Sequence, residues 1–406
     1  MATVTRHLPR GSELRTLLVA RPLRLGARSR ADRCHSIEDL RGAAVRRVPR
    51  AVFDYVDGGA DHELTMARSR SGWERIQLRP RVLAGVEKVD TAATILGEQL
   101  SSPLVLAPTG FTRMMHTGGE LAVLRAASAA GVGYTLSTMG TTTIEDLVAG
   151  VPGARPWFQL YPWKDRGVSD DLVLRAERAG CRVLVLTVDT PVAGRRLRDL
   201  RNGLTIPPSL SPGTFLQGLR HPGWTFDLLT TDVPTFASLA GRPARLQDLV
   251  DSAFHPGLGW DDLARLRERW PGRLVVKGIL DPRDARRAVD TCAVDGIVVS
   301  DHGGRQLDRS VTALDALPAV VAAVGDRCEV LLDGGVRHGA DVAAAVALGA
   351  RAVLVGRAYL YGLMAAGEPG VARAIEILQE ETRRTLRLLG VGGLSELDAG
   401  FVGRAG

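Results

Sequence analysis

The chain has 406 residues, of which 45% are hydrophobic and 24% are charged, a composition typical of a globular protein with a large core. No segment reaches the roughly 20 apolar residues that a membrane span needs, and Leu17–Leu25 is too short and too charged for a secretory signal. The four cysteines form no Cys-x-x-Cys pair, which favours reduced thiols in a cytosolic protein over a disulfide or zinc framework.

The net charge of +7 at pH 7 is concentrated at the N-terminus, where residues 1–50 contain twelve arginines and four acidic residues. We predict that residues 1–34 form a basic, flexible arm. Such an arm can contact anionic lipid or nucleic acid, or it can remain a solvated tail. Because no aromatic residues are interleaved with these arginines, nucleic-acid binding is not expected.

Residues 35–395 are predicted to form one domain, in which residues 35–75 make a helical cap. From about residue 100 onward, short apolar, β-branched runs alternate with Ala- and Leu-rich amphipathic stretches. Continuous apolar runs indicate strands buried on both faces, and eight βα repeats predict a (β/α)8 TIM barrel. An open, doubly wound sheet is the alternative, but the first run is not followed by the G-x-G-x-x-G turn typical of that fold. The eight runs are 103–108, 133–138, 157–161, 183–188, 274–279, 296–300, 329–333 and 352–356.

The regular spacing is interrupted once, by a long segment after the fourth strand, residues 189–260. This segment is rich in proline, glycine, leucine and aromatic residues, among them Trp224, Phe226 and Phe236. Loops of this length tend to be lids or binding segments. The segment could cover an active site, dock a partner subunit, touch a membrane surface or pack on the barrel.

In a (β/α)8 barrel, functional side chains gather at the C-terminal ends of the strands. Each predicted strand of this chain ends in polar residues or glycine, and a full ring of hydrogen-bonding groups is hard to explain as packing. The ring comprises Thr109, Gly110, Ser137, Gln159, Tyr161, Thr187, Asp189, Lys277, Ser300, His302, Arg305, Asp333, Gly335, Arg337, Gly356 and Arg357.

Several members of the ring predict an anionic ligand. Lys277 is one of three lysines and lies within an apolar strand, so it either pairs with a barrel carboxylate or faces a bound anion. The glycine-containing turns after the seventh and eighth strands are where such barrels bind phosphate, and Arg337 and Arg357 there supply forked donors. We therefore predict a phosphate at these two turns, on a ligand whose far end reaches Lys277, Gln159 and Thr187.

The segment SDHGGRQLD, residues 300–308, predicts acid–base chemistry. Two glycines allow a sharp turn, so that His302 and Arg305 can face the same point above the barrel. Histidine is the usual general base near neutral pH, and arginine is the usual clamp for a carboxylate. Asp189 could orient His302 and stabilise its charged form.

Ordered motifs across about residues 37–392 resemble those of the FMN-dependent family that oxidises L-2-hydroxy acids. They are APTG, WFQLY, LTVDTPVAGRRLRD, VVKGI, SDHGGRQLD and DGGVRHG followed by VGRAYLYG; FDYVDGGADHEL and GFTRMMHTGGE look most like the bacterial quinone-linked L-lactate dehydrogenases. The resemblance implies FMN as the cofactor, L-lactate or another L-2-hydroxy acid as the substrate, and a quinone or other electron acceptor. It also implies a homotetramer that is cytoplasmic or peripheral on the inner face of the cell membrane.

The resemblance implies a role for each residue of the ring, and no metal. His302 would be the catalytic base with Asp189 as its partner, and Tyr161 would hydrogen-bond the oxygen on the reacting carbon. Tyr55, Arg196 and Arg305 would hold the substrate carboxylate. Lys277 would stabilise negative charge on the reduced flavin. The flavin ring would contact Thr109, Gly110, Ser137, Gln159, Thr187 and Ser300, and the ribityl phosphate would contact Asp333, Gly335, Arg337, Gly356 and Arg357.

Three features of the chain leave alternatives open. Asp301 stands where the family usually has asparagine, and it could raise the pKa of His302 or point away from it. Gly110 stands where several oxidases have alanine, and the smaller residue leaves more room near the flavin. Arg195 precedes Arg196, so either arginine could reach the substrate. The competing function is an oxidase that acts on glycolate or a longer hydroxy acid and reduces oxygen to hydrogen peroxide.

Overall fold

The computed structural model describes residues 30–203, 218–232, 234–239 and 255–405. Of the predicted basic arm, residues 1–29 lie outside the described residues. The arm's remaining residues are folded, because Arg30–Arg33 form a 3-10 helix and Ala31 is fully buried in the hydrophobic core.

Eight parallel strands form a closed barrel, which confirms the predicted (β/α)8 fold. Their central residues are buried on both faces, because one face lines the barrel interior and the other packs against helices. The barrel order is β4-β5-β6-β7-β8-β9-β10-β11. The strands are β1 (Ile76–Leu78), β2 (Ala93–Ile95), β3 (Glu98–Leu100), β4 (Leu104–Leu106), β5 (Gly133–Ser137), β6 (Trp157–Leu160), β7 (Val183–Thr187), β8 (Arg273–Ile279), β9 (Gly296–Val299), β10 (Glu329–Leu332), β11 (Ala352–Val355) and β12 (Val402–Arg404).

Helices follow the barrel strands and cover them, as the amphipathic stretches predict. The described helices are α1 (Ile37–Arg47), α2 (Arg50–Asp57), α3 (Leu64–Glu74), α4 (Thr112–Met115), α5 (Gly119–Ala130), α6 (Ile144–Gly150), α7 (Arg166–Arg178), α8 (Leu197–Asn202), α9 (Pro222–Leu229), α10 (Trp260–Arg269), α11 (Pro282–Cys292), α12 (Ala313–Val324), α13 (Gly339–Ala347), α14 (Arg357–Ala366) and α15 (Glu368–Leu389).

Helix α14 and the hairpin β2–β3 have weak sequence signals and are not among the predicted elements. Almost every residue of α14 is buried, so its sequence lacks the one-sided apolar pattern of an amphipathic helix. The hairpin closes the N-terminal end of the barrel, where Ile95, Leu96 and Leu100 pack on the inner barrel residues. The ring of functional residues is therefore left at the open, C-terminal end.

The predicted N-terminal cap is present as helices α1, α2 and α3. Helix α1 begins with a capping box in which Ser36 and Asp39 bind each other's backbone N–H groups. The cap is tied to the loop after β9, because Ala60 N–H donates to Gly304 O at 2.8 Å and Thr65 N–H donates to Asp308 Oδ1 at 2.8 Å. The cap thus lies over the C-terminal face of the barrel.

The long segment after β7, predicted as a loop, contains short helices in its described parts. Helix α8 follows β7 closely, and helix α9 is anchored where Trp224 Nε1 donates to Met114 O at 2.9 Å. Farther along, Ala237 N–H donates to Gly140 O at 3.1 Å, and Phe236 packs edge-to-face on Phe111 with ring centres 4.7 Å apart. The described parts therefore pack beside the strand ends.

Replacement of Gly362 in α14 by alanine is expected to destabilise the protein by about 1–3 kcal/mol, because the new methyl group overlaps the carbonyl oxygen of Gly370 in α15. Gly42→Ala in α1 is the matched control, since its nearest neighbour is a flexible arginine tip 3.8 Å away. Alanine there should stabilise the helix by up to about 1 kcal/mol. Denaturant unfolding measures the change in unfolding free energy of both variants. Equal changes would contradict this close contact between α14 and α15.

Candidate active site

A cavity opens at the C-terminal ends of the barrel strands, and most of the predicted residues line it. Asp189, Gln159, Thr187 and Ser300 lie behind the lining and hydrogen-bond residues that form it or each other. The predicted residues in the lining are Tyr55, Thr109, Gly110, Ser137, Tyr161, Arg196, Lys277, His302, Arg305, Asp333, Gly335, Arg337, Gly356 and Arg357. The residues of the predicted ring therefore lie together in one site of the folded protein.

His302 and Asp189 form a hydrogen-bonded pair in this cavity. His302 Nδ1 lies 3.0 Å from both carboxylate oxygens of Asp189, and Nε2 lies 3.5 Å from the hydroxyl oxygen of Tyr161. Burial opposes ionisation of Asp189, but His302 and Lys277 outweigh it and lower the pKa of the carboxyl group. Because ionised Asp189 holds the proton on Nδ1, the tautomer leaves Nε2 free to accept a proton.

The turn after β9 positions His302 through three residues in the left-handed backbone region. His302, Gly303 and Gly304 have φ angles of 55°, 63° and 70°. Glycine adopts this region without steric cost, whereas a histidine there is held by its surroundings. The backbone N–H of His302 donates to Ser300 Oγ at 3.0 Å, which fixes the start of the turn.

Two arginines and a tyrosine form one wall of the cavity. The guanidinium carbons of Arg305 and Arg196 lie 5.2 and 5.8 Å from the ring centre of Tyr55. Burial and the neighbouring Arg196 lower the pKa of Arg305 to about 10. Arg196 pairs with Asp199 at 2.7 Å, while Arg195 is exposed and absent from the lining. Of the two adjacent arginines, the structure thus brings Arg196 to the cavity.

The cap helix α2 ends at this wall, and its last carbonyl oxygens accept hydrogen bonds from two arginines. Arg305 donates to Tyr55 O and Gly58 O at 2.6 and 3.2 Å, and Arg357 donates to Val56 O and Gly58 O at 3.0 and 2.8 Å. The C-terminal end of a helix carries unpaired carbonyl groups and a partial negative charge. Helix α2 therefore stabilises two cations without neutralising them.

Lys277 has a carboxylate partner, as one of the two readings of the sequence predicts. Its Nζ atom lies 3.0 Å from Asp333 Oδ2 and 2.9 Å from Ser300 Oγ. Burial alone would lower the pKa of Lys277, but Asp333 and Asp189 raise it, so the lysine is charged. Behind it, Ser137, Gln159 and Thr187 form a hydrogen-bonded row across three strands, with distances of 2.9 and 3.0 Å.

The end of the cavity at the turn after β10 contains unsatisfied polar groups. Among the described residues, Arg337 Nη1 and Asp333 Oδ1 are buried and have no hydrogen-bond partner. Within the same set, no carboxylate oxygen lies within 4 Å of Arg337 or Arg357. Buried polar atoms normally have partners, so this end of the cavity is built to receive a polar, anionic group.

Asp301 points away from His302, which decides between the two orientations considered above. Its Oδ2 atom accepts a hydrogen bond from Ser69 Oγ of the cap at 2.5 Å, and its Oδ1 atom faces the backbone of Gly334. Burial and the nearby carboxylate of Asp333 raise the pKa of Asp301. The carboxyl group thus fastens the cap to the turn after β9.

The cavity also has an apolar side. Phe111, Met115, Met139 and Phe236 line it. A Cβ atom added to Gly110 would lie only 2.8 Å from Cβ of Met139, so Met139 occupies the room that a glycine was expected to leave. Phe236 stands out in sequence only as one aromatic residue of the long segment, because its position depends on tertiary packing.

Residues 44–404 match the family model for FMN-dependent dehydrogenases. The chain belongs to this family. It is 52% identical over 395 residues to a Mycobacterium tuberculosis protein named "Putative L-lactate dehydrogenase", covering 97% of this chain and 95% of the other. It is 44% identical to an L-lactate dehydrogenase of Caulobacter vibrioides, covering 89% and 96%. These matches confirm the predicted family, the enzyme class and FMN as the cofactor, and they support oxidation of a 2-hydroxy acid.

Solved structures of the family share the fold. A monotopic membrane (S)-mandelate dehydrogenase superposes with a TM-score of 0.87 at 36% identity, covering 92% of this chain and all of the other. A mandelate oxidase superposes with a TM-score of 0.78 at 40% identity, covering 92% and 99%. Both a dehydrogenase and an oxidase are thus similar to this enzyme over nearly the whole chain.

The cavity residues fit FMN. Arg337 and Arg357, which lack nearby carboxylates, match a phosphate, and the unpartnered Asp333 Oδ1 matches a hydroxyl of the ribityl chain. An added Cβ at Gly356 would meet nothing closer than 3.9 Å, so the backbone there is open to a ligand. Charged Lys277, which pairs with the other carboxylate oxygen of Asp333, matches an electron-rich ring edge.

The C-terminal end of α2 holds Arg305 and Arg357 through its carbonyl oxygens. This end is itself fixed by an ion-pair network around the buried Asp57. Arg41 binds Asp57 through Nε at 2.8 Å and Nη2 at 2.9 Å, Tyr361 donates at 2.7 Å and Arg198 donates at 3.0 Å. Burial opposes ionisation, but Arg41 and Tyr361 hold the pKa of Asp57 well below its usual range.

Asp57→Asn is expected to cost about 1.5–3 kcal/mol of unfolding free energy at pH 7, because the buried carboxylate loses charge-assisted hydrogen bonds from the half-exposed Arg41 and Arg198. The folded-state pKa is depressed, so the contribution of Asp57 is present above its unfolded pKa and declines as the pH falls below about 4. Denaturant unfolding at several pH values should show the gap to wild type closing in acid. The control Asp290→Asn breaks an exposed pair with Arg327 and should cost under about 1 kcal/mol; a pH-independent gap for Asp57→Asn would contradict the argument.

Proposed function

We propose that this enzyme oxidises L-lactate to pyruvate and passes the electrons to a quinone or another acceptor. The observation that carries the proposal is the position of two arginines, Arg305 and Arg196, beside the base His302 in one cavity. Arg305 has no carboxylate oxygen within 4 Å among the described residues, and a substrate carboxylate would compensate its charge. The relatives named L-lactate dehydrogenase support lactate as the substrate.

Bound FMN supplies the two-electron acceptor for this reaction. Arg305 and Arg196 bind the substrate carboxylate, and Tyr55 packs against both guanidinium groups and donates its hydroxyl to the same anion. Tyr161 binds the oxygen on the reacting carbon. His302 removes the substrate proton at Nε2, and Asp189 stabilises the imidazolium that forms. All five groups act on one small molecule, whose methyl group would face the apolar side of the cavity.

The remaining ring residues would hold the cofactor. Lys277, charged through its pair with Asp333, stabilises negative charge at the edge of the reduced ring. The hydrogen-bonded row Ser137, Gln159 and Thr187 keeps the ends of three strands at a fixed spacing in the part of the site that would hold the flavin. The flavin contacts in this proposal are the lining residues Thr109, Gly110, Ser137 and Lys277, supported from behind by Gln159, Thr187 and Ser300. The ribityl phosphate contacts are Asp333, Gly335, Arg337, Gly356 and Arg357.

The second candidate is an oxidase of the same fold, which uses oxygen and makes hydrogen peroxide. The mandelate oxidase structure at 40% identity supports this alternative. The apolar side of the cavity, with Met139 and Phe236, would accept a longer or aromatic substrate side chain as well as a methyl group. The electron acceptor and the side chain of the preferred substrate therefore distinguish the two candidate functions.

An anaerobic visible spectrum tests the proposed function directly. L-lactate is expected to bleach the flavin absorbance, D-lactate is not, and readmitted oxygen should restore the colour only slowly. His302→Gln should retain the flavin but slow the bleaching by about 10²–10⁴-fold, because the general base is lost. Rapid reoxidation with stoichiometric peroxide would favour the oxidase, and near-normal bleaching by His302→Gln would refute the assigned base.

Arg196→Gln is expected to lower kcat/KM for L-lactate by about 10–150-fold, because a charge-assisted hydrogen bond contributes about 1.5–3 kcal/mol. Arg195→Gln is the matched control, since the neighbouring side chain is exposed and outside the lining, and it should stay close to wild type. Steady-state kinetics of the two variants decides. A larger loss for Arg195→Gln would assign the carboxylate to the other arginine.

We also propose a peripheral contact with the inner surface of the cell membrane, made through helix α9 and the residues before it. Leu219, Phe226 and Leu229 are 60%, 67% and 65% exposed, although the same helix is anchored to the barrel through Trp224. A solved relative is described as a monotopic membrane protein. No helix among the described residues is long and apolar enough to cross a membrane, so the contact would be interfacial.

The double variant Phe226→Ser/Leu229→Ser is expected to weaken co-sedimentation with anionic lipid vesicles at least about tenfold, because two exposed apolar side chains no longer bury in lipid. Leu388→Ser provides the control, since Leu388 is 70% exposed on a different helix, α15. Lactate-dependent bleaching should be unchanged in both. Equal vesicle binding by the double variant and wild type would refute a contact through α9.

A further inference from the structure

A second cavity of about 300 Å³ lies outside the barrel wall, between strands β7 and β8 and helices α10 and α11. Its walls combine apolar and polar surface, and they are contributed by strand residues, prolines and the residues that lead into α10. The lining residues used below are Thr190, His255, Leu258, Trp260, Leu263 and Gly278. This volume is at the lower end of the range of about 300–1,000 Å³ for small-molecule sites.

This second cavity shares a wall with the active-site cavity. Thr190 lines both. An added Cβ at Gly278, which lines the second cavity, would lie 2.6 Å from Cβ of Asp189, whose carboxylate holds His302. One stretch of chain, Asp189–Pro191, therefore separates the two cavities. A molecule in the second cavity would be close to the flavin without competing with the substrate for Arg305 or His302.

The chemistry of the second cavity selects for a flat, apolar ring with a polar edge. Trp260, Leu258 and Leu263 provide apolar surface, and no lysine or arginine lines the cavity. His255 lines it too, and its Nδ1 atom is buried without a hydrogen-bond partner among the residues that the structure describes. An unpaired buried ring nitrogen can donate to a ligand carbonyl oxygen. A small anionic acceptor would find no counterion here, since Asp284 is the charged residue of the lining.

We propose that this second cavity binds the ring of a quinone that reoxidises the flavin. The inference rests on the proposed function, and it adds the site at which the electron acceptor binds. Two electrons and two protons leave the reduced flavin, and the quinone departs as the quinol. His255 would hold one quinone carbonyl, and the apolar walls would hold the ring. The substrate and the acceptor would thus occupy separate sites on either side of Asp189–Pro191.

Leu258→Trp tests the proposal, because a larger side chain fills the cavity. The purified enzyme is reduced anaerobically with stoichiometric dithionite, and flavin reoxidation is followed with a short-chain, water-soluble ubiquinone or with ferricyanide. The variant is expected to react with the quinone at least about tenfold more slowly than wild type, but equally fast with ferricyanide. The control Leu388→Trp places the same side chain on exposed α15 and should match wild type with both acceptors. Equal quinone rates for Leu258→Trp and wild type, or an equal loss with ferricyanide, would overturn the proposal.

His255→Ala provides a second variant with less steric change. Loss of one hydrogen bond is expected to weaken apparent quinone affinity by about 2–12-fold. A quinone affinity equal to that of wild type would contradict the role of His255. Because dithionite replaces lactate as the reductant, both variants report on the acceptor site even where lactate fails to bleach the flavin.

Binding can also be measured without turnover. The ubiquinone analogue is expected to quench the fluorescence of Trp260 in the oxidised enzyme in a saturable way, and Trp260→Phe should remove that component. In the same titration, Leu258→Trp is expected to need a higher ubiquinone concentration for half-maximal quenching. Saturable quenching that survives in Trp260→Phe and is unchanged in Leu258→Trp would locate the quinone elsewhere and refute this site.

Discussion

The active site depends on positive charge that is held at the barrel mouth and largely left uncompensated. Lys277, Arg305, Arg337 and Arg357 line one cavity, and within the described residues Lys277 alone among them has a carboxylate within 4 Å. Removing unpaired charge from water is costly, so each group is stabilised by carbonyl oxygens, an aromatic ring or a hydroxyl group. A site built in this way favours anionic groups, such as the phosphate of a flavin and the carboxylate of a substrate.

The cap makes this arrangement possible. The barrel supplies the arginines, but helix α2 supplies the carbonyl oxygens of Tyr55, Val56 and Gly58 that hold Arg305 and Arg357. Asp57, next to these carbonyls, fixes the end of α2 through Arg41 and Tyr361. Cap and barrel are therefore joined through the same polar groups that shape the site, so a change in the packing of α2 alters the positions of Arg305 and Arg357.

The sequence predicts the barrel well because its signal is local. Eight buried strands are continuous apolar runs, and the ring of functional residues follows from the rule that such residues lie at strand ends. The orientation of Asp301 toward Ser69 and the place of Phe236 in the lining could not be predicted, since both depend on contacts between segments far apart in the chain. The second cavity has no sequence signature at all, because it is a space between elements that each look ordinary.

The uncompensated arginines also link the cofactor to the folding of the whole protein. Burial and the neighbouring charge of Arg337 lower the pKa of Arg357. An anion that binds the folded chain at this point relieves repulsion and stabilises that state by mass action, since the unfolded chain offers no such site. The thermal midpoint of the protein should therefore rise with the concentration of free FMN, which would make the supply of cofactor a determinant of how much enzyme survives in the cell.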